Sequence, residues 1–310
     1  MSDGKVLQSL HRIETGVLDD PDLSRLYQES KAENGVTIFI PNWNHRARLP
    51  RSVNSALDAV GHLREAGFSA EILVIDDASR DGSQKLLRAI QMLYEEPHLR
   101  TLFLKRNLDV PRVRNLALQV SRFRYVCTMD ADNELVPNNL PLFLQSIIET
   151  GAALVYGNLI AKQGEEVIGL WSSRAATMRL TRGNYIDAFA LVDARRLLRA
   201  GGYNSDPRLY GYEDWEIVLH LISEEEKIVF VPAAMGYYYR IPGSMLQGTL
   251  QQTERKAGSH SEALRPEETR RSKETKALMQ RMFAQTGTRE WDPVRVGHIY
   301  HPAVGFIDQW

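Results

Sequence analysis

Cysteine is all but missing. Cys127 is the single one in 310 residues, so no internal disulfide can form and nothing in the covalent framework requires an oxidising compartment. It sits in the apolar run Tyr125–Met129, where a buried small hydrophobe is the expected role rather than a reactive thiol. Excess charge is missing too: 38 Lys and Arg against 39 Asp and Glu leave a net charge of -1. A general nucleic-acid binder needs a basic surplus to pair with phosphates, so that class is excluded, although a local basic patch for a diphosphate is not. No apolar run approaches the ~20 residues needed to span a bilayer. The opening MSDGKVLQSLHRIETG carries no signal-peptide core. The expectation is a cytoplasmic protein without a transmembrane segment, whose membrane contacts are peripheral or made through a larger assembly. Glycine is absent from PNWNHRARLP at 41–50, directly after the first apolar strand. No G-x-G-x-x-G therefore follows a strand, which excludes a dinucleotide-binding dehydrogenase, and the glycine-rich loop of a sugar-nucleotide pyrophosphorylase is lacking as well.

What is present is an alternation of apolar β-branched runs with helical periodicity. VTIFIP (36–41), EILVID (71–76), TLFLK (101–105), RYVCTMD (124–130) and ALVYGN (153–158) read as strands. Between them, helical spacing runs through Leu49, Val53, Ala56 and Val60, from Ser83 to Leu93, over 113–120, and from Pro137 onward. This pattern predicts an α/β fold, a Rossmann-like and mostly parallel sheet with helices on both faces. Later segments read as a helix at 193–200, a helix beginning near Asp214, and two strands, KIVFVP (227–232) and MGYYYR (235–240). Ligands bind such sheets at the carboxyl ends of the strands. Those ends carry Asn42 to Asn44, Asp76-Asp77, Asn107 and Asp130 to Asp132, a concentration of carboxylates and amides suited to a metal or a sugar nucleotide.

Several constellations carry chemistry. Asp130 and Asp132, two apart after a strand, can meet one hard divalent cation and one ribose, because Mn²⁺ and Mg²⁺ prefer oxygen donors. In VIDDASRDGS (74–83), Asp76 and Asp77 can accept from a base N–H or a ribose hydroxyl; a turn and a helix cap would use the same letters. In PNWN (41–44), Trp43 can stack on a base or serve as one more core aromatic. Arg112 and Arg114, at a helix start, can face a diphosphate or stand solvated. In GYEDWEI (211–217), Glu213 and Asp214 open a helix whose dipole favours carboxylates, and their place far downstream suits an acceptor-side base.

Taken in order, these elements resemble the inverting glycosyltransferases of family 2, which have the GT-A fold. The resemblance runs from about Val36 to Ser244 through Pro41, Trp43 and Asn44, the DDxSxDGS stretch, Arg114-Asn115, the DxD of Asp130 and Asp132, the GGYN turn (201–204) and Glu213-Asp214-Trp215. It implies that Trp43 and Asp76 or Asp77 bind the base of a UDP-sugar and that Asp130 holds ribose. It further implies that Asp130 with Asp132 holds Mn²⁺ or Mg²⁺, and that Asp214 deprotonates the acceptor beside Glu213 and Trp215. YYYRIPGSM (237–245) is similar to the family's closing segment, which puts Arg240 and Ser244 near the phosphates. Pro41, Asn44, Arg112 and Arg114 complete the expected donor contacts. The implied division is an N-terminal extension at 1–34, a transferase domain at 35–245 (nucleotide-binding half 35–135, acceptor half 136–245), and a loop with a C-terminal helix and tail at 246–310. The partners implied are a nucleotide-sugar donor and a saccharide or glycoconjugate acceptor, as in bacterial-type polysaccharide synthesis. A sugar-nucleotide-binding or nucleotidyltransferase-like protein without transferase activity is the alternative. The loop Asp109-Val110-Pro111-Arg112 departs from the small residues usual before the Arg-Asn pair, and polar, glycine-containing 241–262 is expected to close over the donor.

Overall fold

Alternation along the first strand sets the layers. In β1 (Ala32–Asn42), Val36, Ile38 and Ile40 enter one core and Phe39 enters another on the opposite face, as the two-residue period of a strand requires. β2 (Ser69–Asp76) divides likewise, Ile72 and Val74 from Leu73 and Ile75. A sheet apolar on both faces has to be covered on both. The covering helices are α1 (Leu49–Glu65), α2 (Ser83–Tyr94), α3 (Val110–Val120), α4 (Leu140–Thr150), α5 (Ala194–Arg199) and α6 (Glu213–Ser223). Apolar residues of α1, α2 and α4 fill the first core, and those of α3, α5 and α6 fill the second. This computed structural model describes residues 32–94, 98–172, 180, 184–206, 209, 211–240 and 298–306.

β1, β2, β3 (Leu99–Phe103) and β4 (Phe123–Thr128) are parallel and lie in the order 3-2-1-4. Beyond β4 the sheet is mixed. β5 (Glu134–Leu135) pairs antiparallel with β9 (Ile228–Tyr239), while β6 (Leu154–Gln163) runs parallel to β9 and forms a hairpin with β7 (Glu166–Trp171). β8 (Leu191–Asp193) is inserted antiparallel between β4 and β6. β10 (His298–His301) extends the sheet beside β9, and β11 (Gly305–Phe306) folds back on it.

Some boundaries differ from the expected ones. The two strands expected at 227–232 and 235–240 are one strand, β9. Pro232 has no N–H for the ladder, and the β6 register shifts between Tyr156 and Asn158, passing over the proline. β4 ends at Thr128, so Asp130-Ala131-Asp132 lies on the turn that follows rather than on the strand itself. The helix expected from Pro137 begins as a 3-10 turn, Pro137–Asn139, before α4. α3 starts at Val110, earlier than its apolar spacing indicated, because Pro111 suits the first turn, where no N–H partner is needed.

Candidate active site

The loops after β1 and β2 are woven together by the polar residues of the two motifs. Asp76, fully buried, accepts from Asn42 Nδ2 at 2.7 Å, the Ser79 N–H at 3.0 Å and Gln84 Nε2 at 2.8 Å. Ser79 Oγ accepts the Asn44 N–H at 2.9 Å, Asn44 Oδ1 accepts the Arg80 N–H at 2.8 Å, and Asp81 accepts from Arg46 N–H and Ser83. Through these three bonds Asp76 holds the two loops together. Asp77 accepts the N–H groups of Leu108 and Asp109 at 2.7 and 3.2 Å and so draws in the loop after β3. Burial lifts its pKa to about 6 against the pull of those two amides. Pro41 pairs opposite Ile75 in the β1 ladder, which ends at Asn42 opposite Asp76. Trp43 is 55% exposed and lines an open cleft of about 840 Å³ together with Phe103, Arg80, Arg88, Lys105 and Arg106. Arg112 is exposed, and its guanidinium reaches back to the Leu108 carbonyl at 3.3 Å.

α1 shapes the turn that carries Asp130 and Asp132. Ser52 Oγ lies 2.8 and 2.7 Å from the carbonyls of Ala131 and Asn133, and Arg51 donates to the Asp132 carbonyl at 2.7 Å. Asn133 Oδ1 accepts the Tyr239 N–H at 3.1 Å, tying the end of β9 to the same turn. With its backbone engaged in this way, the turn leaves the two carboxylates as side-chain donors. Burial, and then the charge of Asp130, raise the pKa of Asp132. Carboxylate oxygens two residues apart on one turn are a donor set that suits a hard cation. Among the described residues no three His, Cys, Asp or Glu side chains gather around one point. The pair therefore fits a metal only as a partial set, completed by phosphate and water oxygens.

The Arg-Asn pair on α3 is a staple between the halves of the sheet. Arg114, expected at the diphosphate, is only 5% exposed and reaches Glu213 Oε1 at 3.2 Å and Asp130 Oδ1 at 3.6 Å. Burial opposes its charge, yet Asp130, Glu213 and Asp214 around it hold its proton more firmly than usual. Next to it, Asn115 exchanges two hydrogen bonds of 2.7 Å with the backbone of Tyr203, clamping the GGYN turn. Gly202 is required there: its φ is +72°, and a Cβ would lie 2.4 Å from Asn115 Oδ1. Glu213, expected beside the acceptor, is engaged at both oxygens, by Arg114 and by the Gly211 N–H at 2.7 Å. Trp215, also expected there, lies in the core with its Nε1 donating to the Leu180 carbonyl at 2.8 Å.

Asp214 is the second residue of α6. Its pKa is lifted to about 7, by burial first, then by the charges of Asp187 and Glu213, against the pull of Arg114. Asp187 was not singled out in the sequence. Burial and then Asp130 lift its pKa to about 6, and it senses Asp132 and Asp214 as well. Tyr238 feels the same four aspartates, which together with burial raise its pKa. The DxD turn and the helix start at Asp214, some 80 residues apart in the chain, thus share one electrostatic site. Arg240 is exposed at the end of β9, its guanidinium 5.3 Å from the Trp171 ring. Ser244 and the expected closing segment 241–262 lie outside the described residues.

A four-strand parallel half with carboxylates and amides at its carboxyl ends, completed by a mixed half that brings further acids to the same place, has the layout of a GT-A glycosyltransferase. Residues 37–203, more than half of the chain, match Glycosyl transferase family 2, and the chain belongs to that family. It is 24% identical over 221 residues to the succinoglycan biosynthesis protein ExoO of Rhizobium meliloti, covering 66% of this chain and 60% of ExoO. It is 27% identical over 165 residues to the undecaprenyl-phosphate 4-deoxy-4-formamido-L-arabinose transferase of Pseudomonas aeruginosa, covering 53% of this chain and 46% of that protein. The chain thus spans about half the length of these curated relatives. The fold is shared with S. aureus TarS 1-349 solved with UDP-GlcNAc (TM-score 0.56, 14% identity, 84% of this chain and 68% of that one). It is also shared with the mannosyltransferase PcManGT of Pyrobaculum calidifontis, solved with GDP-Man and Mn2+ (TM-score 0.55, 13% identity, 94% of this chain and 85% of that one). Among the described residues no helix is long and apolar enough to cross a membrane.

Proposed function

We propose that the protein is a metal-dependent inverting glycosyltransferase that moves a sugar from a UDP-sugar to a hydroxyl of a saccharide or glycoconjugate. The observation that carries this reading is the part-buried carboxylate of Asp214, held near neutral pKa in the same electrostatic site as the DxD turn. A base whose pKa lies near the operating pH is both available and strong enough to take a hydroxyl proton. Asp214 accepts that proton as the hydroxyl attacks the anomeric carbon in line with the departing diphosphate. One displacement inverts the carbon and needs no covalent nucleophile. Asp130 and Asp132 would hold Mn²⁺ or Mg²⁺, which stabilises the negative charge gathering on the nucleoside diphosphate. Trp43 would stack on the base in the cleft, with Asp76 or Asp77 accepting from it. The cations of the cleft, Arg80, Arg88, Lys105 and Arg106, favour an anionic ligand beside it. A donor in polysaccharide or lipid-linked sugar synthesis agrees with what the relatives' names describe.

Calorimetry with UDP, in Mn²⁺ and in EDTA, tests the donor and metal parts together. Binding strengthened by Mn²⁺ is expected, and Asp132→Ala should lose the metal-dependent part while remaining folded. UDP affinity indifferent to the metal would remove the metal role.

A further inference from the structure

Asp214 is held from two sides. Its Oδ1 accepts the N–H of Trp215 at 2.8 Å, a bond any carboxylate at this helix start would find. Its Oδ2 accepts Nδ2 of Asn184 at 2.9 Å, a bond that spans 30 positions of sequence. Asn184 is not free to turn, because its own Oδ1 accepts the Ile186 N–H at 3.1 Å in a two-residue turn of the side chain onto its backbone. With the oxygen spent on the turn, only the NH₂ can face Asp214. The next residue of this loop to bond in the same way is Asp187, whose Oδ1 accepts the Phe189 N–H at 2.8 Å. One short irregular segment therefore presents an amide donor and a carboxylate, each fixed by its own turn, to the start of α6.

Resting on the reading of Asp214 as the base, we propose that Asn184 is a positioning residue for the transfer: its turn-locked amide fixes the Asp214 carboxylate so that its remaining lone pairs face the acceptor hydroxyl. A carboxylate free to rotate about its last torsion would lose alignment, and alignment is a large part of what an active site contributes to rate. The N–H also favours the ionised, proton-accepting form. The charged and titratable groups facing Asp214 are Asp187 from the same loop, Glu213 from its own helix, Arg114 from α3, Tyr203 from the GGYN turn and Tyr238 from β9. The carboxylates among them work against ionisation, so a neutral donor at Oδ2 has an effect to exert.

Two substitutions separate this role from loop tethering. Asn184→Asp keeps the shape and the oxygen that accepts from Ile186, and replaces only the donor. Asn184→Ser keeps a hydroxyl able to close the same turn but cannot reach Asp214. In both, kcat for transfer is expected to fall at least about tenfold with UDP affinity unchanged. The acid limb of the kcat–pH profile should move to higher pH, further in Asn184→Asp, which adds a like charge. In an Asp214→Asn background, Asn184→Ser should cost nothing more, and this double variant decides the matter if either single one folds poorly. Wild-type kcat with an unmoved acid limb, or a full further loss in the Asp214→Asn background, would overturn the proposal. Asp214→Asn measured alone keeps the two ideas apart. If it transfers sugar normally, the base assignment itself fails; if it is inactive while the Asn184 variants behave as wild type, only the positioning role fails.

Discussion

The acidic residues at this site differ in what surrounds them. Asp76 and Glu213 have both oxygens committed to neighbours and carry the loops. Asp214 and Asp187, both part-buried, stand among like charges, and both are pushed towards neutrality. For Asp214→Asn, donor affinity is expected to be nearly unchanged and transfer to fall by at least about a hundredfold, the lower part of what a placed general base contributes. Progress curves with saturating donor check it. Asp187→Asn keeps the oxygen that accepts from Phe189 and removes one of the charges that raise Asp214. The Asp214 pKa then falls, its carboxylate stays ionised to lower pH, and the acid limb of the kcat profile moves down if Asp214 is the proposed base. An acid limb that moves up would mean that Asp187 does not act on Asp214 through its charge. The sequence marked Asp130, Asp132 and Asp214 because each stands in a short run after a strand or at a helix start. Asp187, Asn184 and Tyr238 carry no such mark. The segment 184–190 has no period, and Tyr238 lies inside an aromatic run that reads as any strand; chain closure alone brings them to the site.

At the scale of elements, the parallel half was legible because its strands are continuous β-branched runs and its helices keep a 3.6-residue stripe. The mixed half was less so. β8 is three residues long, and β9 contains a proline that interrupts the sequence pattern although the strand continues across a register shift. The pairing of Arg114 and Asn115 with residues some 90 to 100 positions away could not be read from one chain, so a motif that staples two elements looked like a phosphate contact. The staple makes its own prediction. Gly202→Ala places a methyl 2.4 Å from Asn115 Oδ1 at a φ of +72°, whereas Gly201→Ala meets nothing within 4 Å at a φ of +99°. The Gly201 change should cost only backbone strain, about 1–3 kcal/mol. The Gly202 change should cost more and lower Tm further, because it also breaks the clamp on Tyr203. Equal losses in thermal melts of the two variants would mean that the clamp adds nothing.

Across the whole molecule, the site is held together at a cost to stability that depends on pH. The carboxyl of Asp214 has an ordinary value of 3.8 when exposed and about 7 in the fold. Between those values the unfolded chain has released the proton and the folded chain keeps it, so this group's contribution to stability falls as pH rises and is fully unfavourable above about 7. Without metal or nucleotide, Asp214→Asn should therefore melt above the wild type at pH 8. Each 1 kcal/mol shifts Tm by roughly 2–4 °C in a chain of about 150–250 residues and by somewhat less in a longer one, so a difference of a few degrees is expected. The gap should close as the pH approaches 4. A variant that melts below the wild type at pH 8 would show that the charge is compensated, with Arg114 the obvious partner.

Arg114 and Asn115 also bear on how such a chain can be recombined. The two halves of the sheet meet in sequence near the DxD turn, which looks like a natural place to join the front of one transferase to the back of another. Yet the contacts that register the back half originate on α3, well upstream of that seam, and are received by Glu213 and by the GGYN turn. A chimera cut at the apparent seam inherits the giver of these contacts from one parent and their receivers from the other. Exchange of acceptor preference between relatives of this chain is thus best made with α3 travelling alongside the back half, as a graft of two separated pieces.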